Sequence, residues 1–321
     1  MPGASPAGTV HVMPTTPIPL ILDTDIGDDV DDVFALLLAA RDPAFDLLAV
    51  TCVYGQVEAR ARLARHVLDL AGKPHVAVAV GSGATLDAPV APGAPGNAMA
   101  SNDPGLPPPG DRAWDEFDAR LHPRSGPDLI VDLVRASTEP VTLCAVGPLT
   151  NVALALRQAP DIAGRLRALV LMGGRLGPEA GNGEHNFNMD AAATAVVLAS
   201  GAPLRLGTYE VTRQASLGVL DVVRLRDGDP ACRSASAQLA RYLAHRDRAT
   251  TSMYDPASLT LAIDERWVRC EDMAIAVDAD VAARRAVLRH VAGAVPNARV
   301  SVEIDAAGFA AHLMSIVLGE A

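Results

Sequence analysis

The stretch Asp23-Thr24-Asp25-Ile26-Gly27-Asp28-Asp29-Val30-Asp31-Asp32 constrains this chain more than any other, because it sets six aspartates between two apolar segments. Ahead of it, Ile18 to Leu22 is a short apolar run, the pattern of a buried strand ending at a loop. Behind it, Val30, Val33, Phe34, Leu37 and Leu38 recur at the spacing of a helix's apolar face. The stretch is therefore an acidic turn between strand and helix. Acids in a first helical turn gain about 0.3–1 kcal/mol each from the helix dipole, which accounts for one or two of them. Crowded carboxylates raise one another's pKa unless a cation lies among them. An all-oxygen donor set selects a hard ion, Ca2+ or Mg2+, over zinc. The plainer alternative is a solvated, acid-rich helix start. An EF-hand loop does not fit, since the twelfth position from Asp23 is Phe34 where a bidentate Glu is required.

The rest of the chain alternates. Phe45 to Tyr54 reads as a strand, Val57 to Ala71 as a helix stopped by Gly72-Lys73-Pro74, and His75 to Val80 as a strand. That order implies an α/β fold with a parallel sheet and right-handed crossovers. Residues 81 to 126 are rich in Pro, Gly and Ala without sustained periodicity, a long loop of either functional or merely mobile kind. Beyond it the pattern predicts helices over Pro127 to Ser137, Leu149 to Gln158, Ala191 to Ser200, Ala235 to Ala244 and Ala306 to Leu318. It predicts strands over Val141 to Val146, Ala168 to Met172 and Leu204 to Glu210, and a final strand pair, Met273 to Val277 with Arg299 to Ile304. In open α/β sheets ligands bind at the carboxyl ends of strands. Four such ends carry unusual residues, among them Gly147-Pro148-Leu149-Thr150-Asn151, Gly173-Gly174 and the polar run from Asn182 to Asp190. Locally, Asp190 reads as the cap of the helix that follows, and Asp255, just before Pro256, as another N-cap.

Composition narrows the function. The net charge is −11 and the pI about 5.1, and no window clusters basic residues with aromatics, so neither nucleic acid nor an anionic membrane is an expected partner. Cys52, Cys144, Cys232 and Cys270 are too widely spaced for zinc and read as reduced, buried thiols. Residues 1 to 16 lack the basic start and apolar block of a signal peptide and read as a disordered tail on a cytoplasmic protein, with residues 17 to 321 forming a single domain. No apolar run reaches membrane-spanning length.

From about Ile18 to Leu318, the motifs DTDIG…DD, GPLTN, LMGG, EHNFNMD and YDP stand in the order found in the nucleoside hydrolase (inosine-uridine preferring) family, which the chain resembles. The resemblance implies a doubly wound, mostly parallel sheet flanked by helices. It implies one bound Ca2+ and hydrolysis of the N-glycosidic bond of ribonucleosides to free base and ribose. By similarity Asp25, Asp32, Asp255 and the Thr150 carbonyl hold the metal, and Asp25 is also the general base for the metal-bound water. Asp31, Asn182, Glu184 and Asn186 bind ribose hydroxyls, Met172 lines the sugar pocket, and Asp23 orients Asp25 from behind. A small nucleoside is the implied partner, and a homodimer or homotetramer the implied assembly, serving purine or pyrimidine salvage.

Four departures bear on the site. Asp28 and Asp29 are extra relative to the family's usual spacing, so the acidic pair is aligned on Asp31-Asp32, with Asp29 the alternative ribose contact. Gln56 replaces an asparagine after the second strand. Tyr254 stands where known members carry a histidine proposed to protonate the leaving base, which leaves Tyr254, His245, Tyr242 and Gln56 as candidates for the leaving-group side. In the long loop, Asn102-Asp103-Pro104-Gly105-Leu106 lacks a histidine often found there. Two rival readings remain: a phosphatase of the haloacid dehalogenase type, weakened because Lys73, in a helix-to-strand turn, is the only lysine, and a Ca2+-dependent nucleoside or ribose binder without turnover. A hydrolase of another N-ribosyl compound is a further alternative.

Overall fold

In the computed structural model, which describes residues 16–86, 118–177 and 180–320, the apolar run Ile18–Thr24 is strand β1, buried except at Pro19. Its period-2 alternation serves two cores: Leu20 and Leu22 pack into one, Ile21 into the other. The helix expected from the acidic turn is α1 (Asp31–Arg41), followed by β2 (Phe45–Cys52), α2 (Val57–Leu70) and β3 (Ala77–Val80). After the long loop come α3 (Gly126–Ala136), β4 (Val141–Ala145), α4 (Thr150–Gln158) and β5 (Leu166–Met172). Next are α5 (His185–Met189), α6 (Ala191–Leu198), β6 (Leu204–Gly207) and α7 (Tyr209–Thr212). Then follow β7 (Ser216–Gly218), α8 (Val219–Arg226), α9 (Pro230–His245), β8 (Thr250–Ser252) and α10 (Tyr254–Leu259). The chain closes with β9 (Val268–Met273), β10 (Ile275–Asp280), β11 (Arg285–His290), β12 (Ala298–Ile304) and α11 (Ala306–Leu318).

The main sheet has eight strands in the order β3-β2-β1-β4-β5-β6-β12-β9, parallel throughout except for β9. One core packs α1, α2 and α11 against it, the other α3, α4 and α6. This is the doubly wound, helix-flanked arrangement that the alternation and the resemblance imply. The order in which strands are added reverses at β1, with β2 and β3 laid on one side and β4 onward on the other, so a crevice opens at their carboxyl ends. Among the described residues, no helix is long and apolar enough to cross a membrane.

Two expectations are corrected. Leu204 to Glu210 is not one strand: β6 ends at Gly207, because the Thr208 N–H turns to Ser301 Oγ at 2.8 Å and α7 begins. The final strand pair also differs. Met273 ends β9 and Ile275 begins β10, so the segment read as one strand belongs to two. It is β9 that pairs antiparallel with β12, while β10 forms a hairpin with β11. The sequence hides β9 because it is an edge strand with outward charges, Arg269 pairing across to Glu303 at 3.0 Å. The tail read over residues 1 to 16 and the Asn102 to Leu106 segment lie outside the described residues, apart from residue 16.

Candidate active site

The strand ends at the crevice open into a cavity of about 850 Å³. Its walls take Asp25, Asp28, Asp29, Asp31 and Asp32 from the acidic turn, Val146 after β4, and Met172 and Arg175 from the end of β5. They also take Glu184, His185, Asn186 and Tyr209, then Arg241, Tyr242, His245 and Arg246 from α9, and Tyr254 and Asp255 from α10.

Asp31 and Asp32 are the first residues of α1, and no side chain caps that helix. Asp32 Oδ1 accepts from Thr24 Oγ1 at 2.5 Å, and Asp31 Oδ2 accepts from the Asp255 N–H at 3.2 Å. One oxygen from each of Asp31, Asp32 and Asp255 falls within 4.8 Å of the others, and all three residues are buried. Burial raises the pKa of each. Asp31 is pushed up to about 8 by burial and then by Asp29, while Asp32 and Asp255 rise well above the usual range through burial and neighbouring carboxylates. Asp25 lies outside that trio but lines the same cavity. Burial raises its carboxyl to about 6, opposed first by Arg60 and then by His185. Gly147 is packed against it: a Cβ there would stand 2.6 Å from Asp25 Oδ1, so only glycine leaves room.

Behind this group Asp23 is completely buried. Its Oδ1 accepts from Thr51 Oγ1 at 2.5 Å and Asn151 Nδ2 at 2.7 Å, while Oδ2 has no partner, and burial pushes its carboxyl up to about 7. On the opposite side, Glu184 caps α5. Its carboxylate accepts N–H groups from Gly174, Asn186 and Phe187 at 3.0–3.2 Å. Asn186 Nδ2 donates to the carbonyls of Val146 at 2.8 Å and Met172 at 3.1 Å, tying the ends of β4 and β5 together.

The structure thus brings Asp25, Asp31, Asp32, Asp255, Met172, Glu184, Asn186, Tyr242, His245 and Tyr254 to one cavity. It does not bring Asn182 or Gln56 there: both are exposed, and the Asn182 carbonyl accepts from Asn188 Nδ2 at 2.9 Å. Thr150 is buried behind the wall, its hydroxyl donating to Asp190 Oδ2 at 2.6 Å. Asp190 caps α6 through the Ala193 N–H at 2.9 Å, as its position suggests. Asp255 is not an N-cap, because Met253 holds that place and Asp255 lies inside the first turn of α10. Asp29, the alternative sugar contact, is half exposed and bonded to Tyr242 and Arg246, whereas Asp31 is buried beside Asp255.

Sequence reasoning missed Arg60, Asn151, Arg175, Tyr209 and Arg241. Arg60 carried a signal, standing three places after Val57 on the same inward face of α2 as Ala61, Ala64 and Leu68. Tyr209 stacks on Tyr254 with ring centroids 5.7 Å apart, and the Arg175 guanidinium lies 4.1 Å over the Tyr209 ring. The two tyrosines and Arg175 form one stacked group on the cavity wall beside the carboxylates.

Residues 20–311 match the family model described as inosine-uridine preferring nucleoside hydrolase. The chain is 29% identical over 315 residues to the pyrimidine-specific ribonucleoside hydrolase RihA of Salmonella paratyphi C, covering 91% of this chain and 96% of that protein. It is 36% identical over 215 residues to an uncharacterized protein of Schizosaccharomyces pombe, covering 64% of this chain and 66% of the other. Among solved structures, the purine-preferring ribonucleoside hydrolase from Gardnerella vaginalis superposes with a TM-score of 0.80 at 25% identity, over 94% of this chain and 98% of that one.

Proposed function

The chain belongs to the inosine-uridine preferring nucleoside hydrolase family, N-glycosyl hydrolases of ribonucleosides, and from that premise we propose that Asp25 activates the attacking water beside one Ca2+. The observation that carries the reading is the buried trio Asp31, Asp32 and Asp255, standing next to Asp25 in a cavity large enough for a nucleoside.

The donor set fits a hard divalent cation. Three buried carboxylates offer oxygen atoms within 4.8 Å of one another, and each is costly to ionise without positive charge nearby. Asp32 and Asp255 are the residues on which the geometry and the resemblance agree. Asp25 and the Thr150 carbonyl complete the set that the resemblance implies, and Asp31 is close enough to serve the ion or the sugar. When bound, the cation neutralises this negative charge and makes water a better nucleophile.

Water bonds to the anomeric carbon and gives one proton to Asp25, the glycosidic bond pair leaves with the base nitrogen, which takes up a proton from solvent or a cavity acid, and free base and ribose result. Without the cation, burial raises Asp25 to about 6; a bound cation favours the carboxylate, so Asp25 is ionised at neutral pH and free to accept a proton from water, as a general base requires. The transition state is oxocarbenium-like, and the surrounding carboxylates oppose its positive charge. Asp31, Glu184, Asn186 and Met172 line the cavity, and we assign the first three to the ribose hydroxyls with Met172 against the ring. The leaving base faces Tyr254, Tyr209 and Tyr242. The named relatives split between pyrimidine and purine preference, and the cavity's aromatic wall of Tyr209, Tyr242 and Tyr254 is the side on which a base ring is proposed to lie.

Asp25→Ala tests the assignment: kcat for ribose release is expected to fall about 1,000-fold or more while the circular dichroism spectrum is unchanged. Turnover near that of the unmodified protein removes Asp25 from the role of base.

A further inference from the structure

Arg60 sits on the inward face of α2 and is wholly buried, yet it does not line the cavity. Its Nε donates to the Tyr54 carbonyl at 2.7 Å. Nη1 donates to the carbonyls of Asp25 and, at 3.1 Å, Ile26, and Nη2 to Asp28 Oδ2 at 2.7 Å. One planar side chain thus joins the turn after β1 to the end of β2. The second of those segments needs holding: Tyr54 has φ 68°, in the left-handed region that tyrosine seldom adopts, and Gly55 follows at φ 70°. A buried guanidinium is tolerated when its donors and its charge are met, and Asp28 supplies the charge.

We propose, resting on the hydrolase reading above, that Arg60 is the positioning residue of the acidic turn: by gripping the carbonyls of Asp25 and Ile26 while anchored to Asp28 and Tyr54, it fixes the direction in which the Asp25 carboxylate enters the cavity. The turn contains Gly27 at φ 117°, and between Asp25 and Val30 it has no helix or strand pairing, only a local turn and the Ile26 N–H bond to Thr24 Oγ1 at 3.1 Å, so donors from outside it help to set its path. Arg60 reaches substrate only through that path. A lysine at this place keeps the charge but has one nitrogen, which cannot span carbonyls on two loops as a guanidinium fork does.

The test compares the unmodified protein with Arg60→Lys, Arg60→Met and Asp28→Asn. The readouts are steady-state ribose release, melting temperature, and amide hydrogen exchange over residues 24–29, with the 275–290 hairpin as internal reference. Arg60→Lys is expected to fold, to exchange faster over 24–29 but not in the hairpin, and to lose about 10–100-fold in kcat with KM nearly unchanged. Asp28→Asn retains an acceptor for Nη2 and is expected to lose less. Should Arg60→Met fail to fold, the lysine variant decides. A kcat for Arg60→Lys equal to that of the unmodified protein overturns the proposal, as does a change confined to KM. If the unmodified protein releases ribose from no nucleoside, the hydrolase reading fails, and the exchange comparison still judges the clamp: unaltered protection over 24–29 in Arg60→Lys overturns it.

Discussion

The Tyr242 hydroxyl donates to Asp29 Oδ1 across 2.8 Å, joining α9 to the acidic turn beside the Arg246–Asp29 ion pair. Its proton is committed to a carboxylate, and burial followed by the Asp29 charge raises its pKa. Tyr242 therefore lines the cavity with its proton held by Asp29, and has no role as an acid in the proposed mechanism. Tyr254 also has a raised pKa, chiefly through burial, and stays protonated at neutral pH beside Asp255. Tyr242→Phe is expected to keep kcat within about tenfold, the worth of one hydrogen bond. Tyr254→Phe is expected to lose about 100-fold if its hydroxyl assists the departing base. Side-by-side kinetics on one nucleoside check the order, and equal losses contradict it.

Gly147 sets the room available to Asp25. Gly147→Ala places a Cβ 2.6 Å from Asp25 Oδ1, closer than the two can pack, and one of them must move. Overpacking of this kind costs about 1–3 kcal/mol. A displacement of about 1 Å at the reacting group costs on the order of 100-fold in rate. The variant should therefore melt a few degrees lower and lose far more activity than stability. An active variant of ordinary kcat shows that the carboxylate is not held by this contact.

The buried acids give the metal-free protein a pH dependence of definite sign. Asp25, Asp23 and Asp31 have carboxyls raised to about 6, about 7 and about 8, mainly by burial. The folded state binds protons that the unfolded chain releases near pH 4, so stability is present below about pH 4 and is lost as pH rises through those folded values. A divalent cation relieves the same repulsion. Calorimetry on chelated protein should show the melting temperature falling from about pH 5 to about pH 8, and added Ca2+ should raise it most at the upper end. A Ca2+ effect that is absent, or largest at low pH, contradicts the site.

What the sequence discloses here follows from how local the cause is. Strand, acidic turn and helix are contiguous, so Asp25, Asp31 and Asp32 could be placed on one strand end from spacing alone, and the structure sets them on one cavity wall. The glycine motifs after β4 and β5 are legible as strand ends for the same reason, whereas the bonds by which Glu184 and Asn186 reach Gly174, Met172 and Val146 span 10, 14 and 40 residues and are not local. The burial of Arg60 carried a signal in the α2 pattern, but its role did not, because its acceptors, Tyr54, Asp25, Ile26 and Asp28, come from two loops and three of them lie more than thirty residues upstream. The β9 edge was hidden by its outward charges, and α7 by an apolar reading that carried β6 past Gly207. Gln56 and Asn182 show the opposite limit: a motif position names a residue, but exposed loop geometry decides whether it reaches the cavity.

The most direct test is ribose release, by reducing-sugar assay, from inosine, adenosine, guanosine, uridine and cytidine, each with Ca2+ and with chelator. The account predicts turnover of at least one nucleoside, abolished by chelation and restored by Ca2+. Silence across the whole panel, with the ion demonstrably bound, would contradict it.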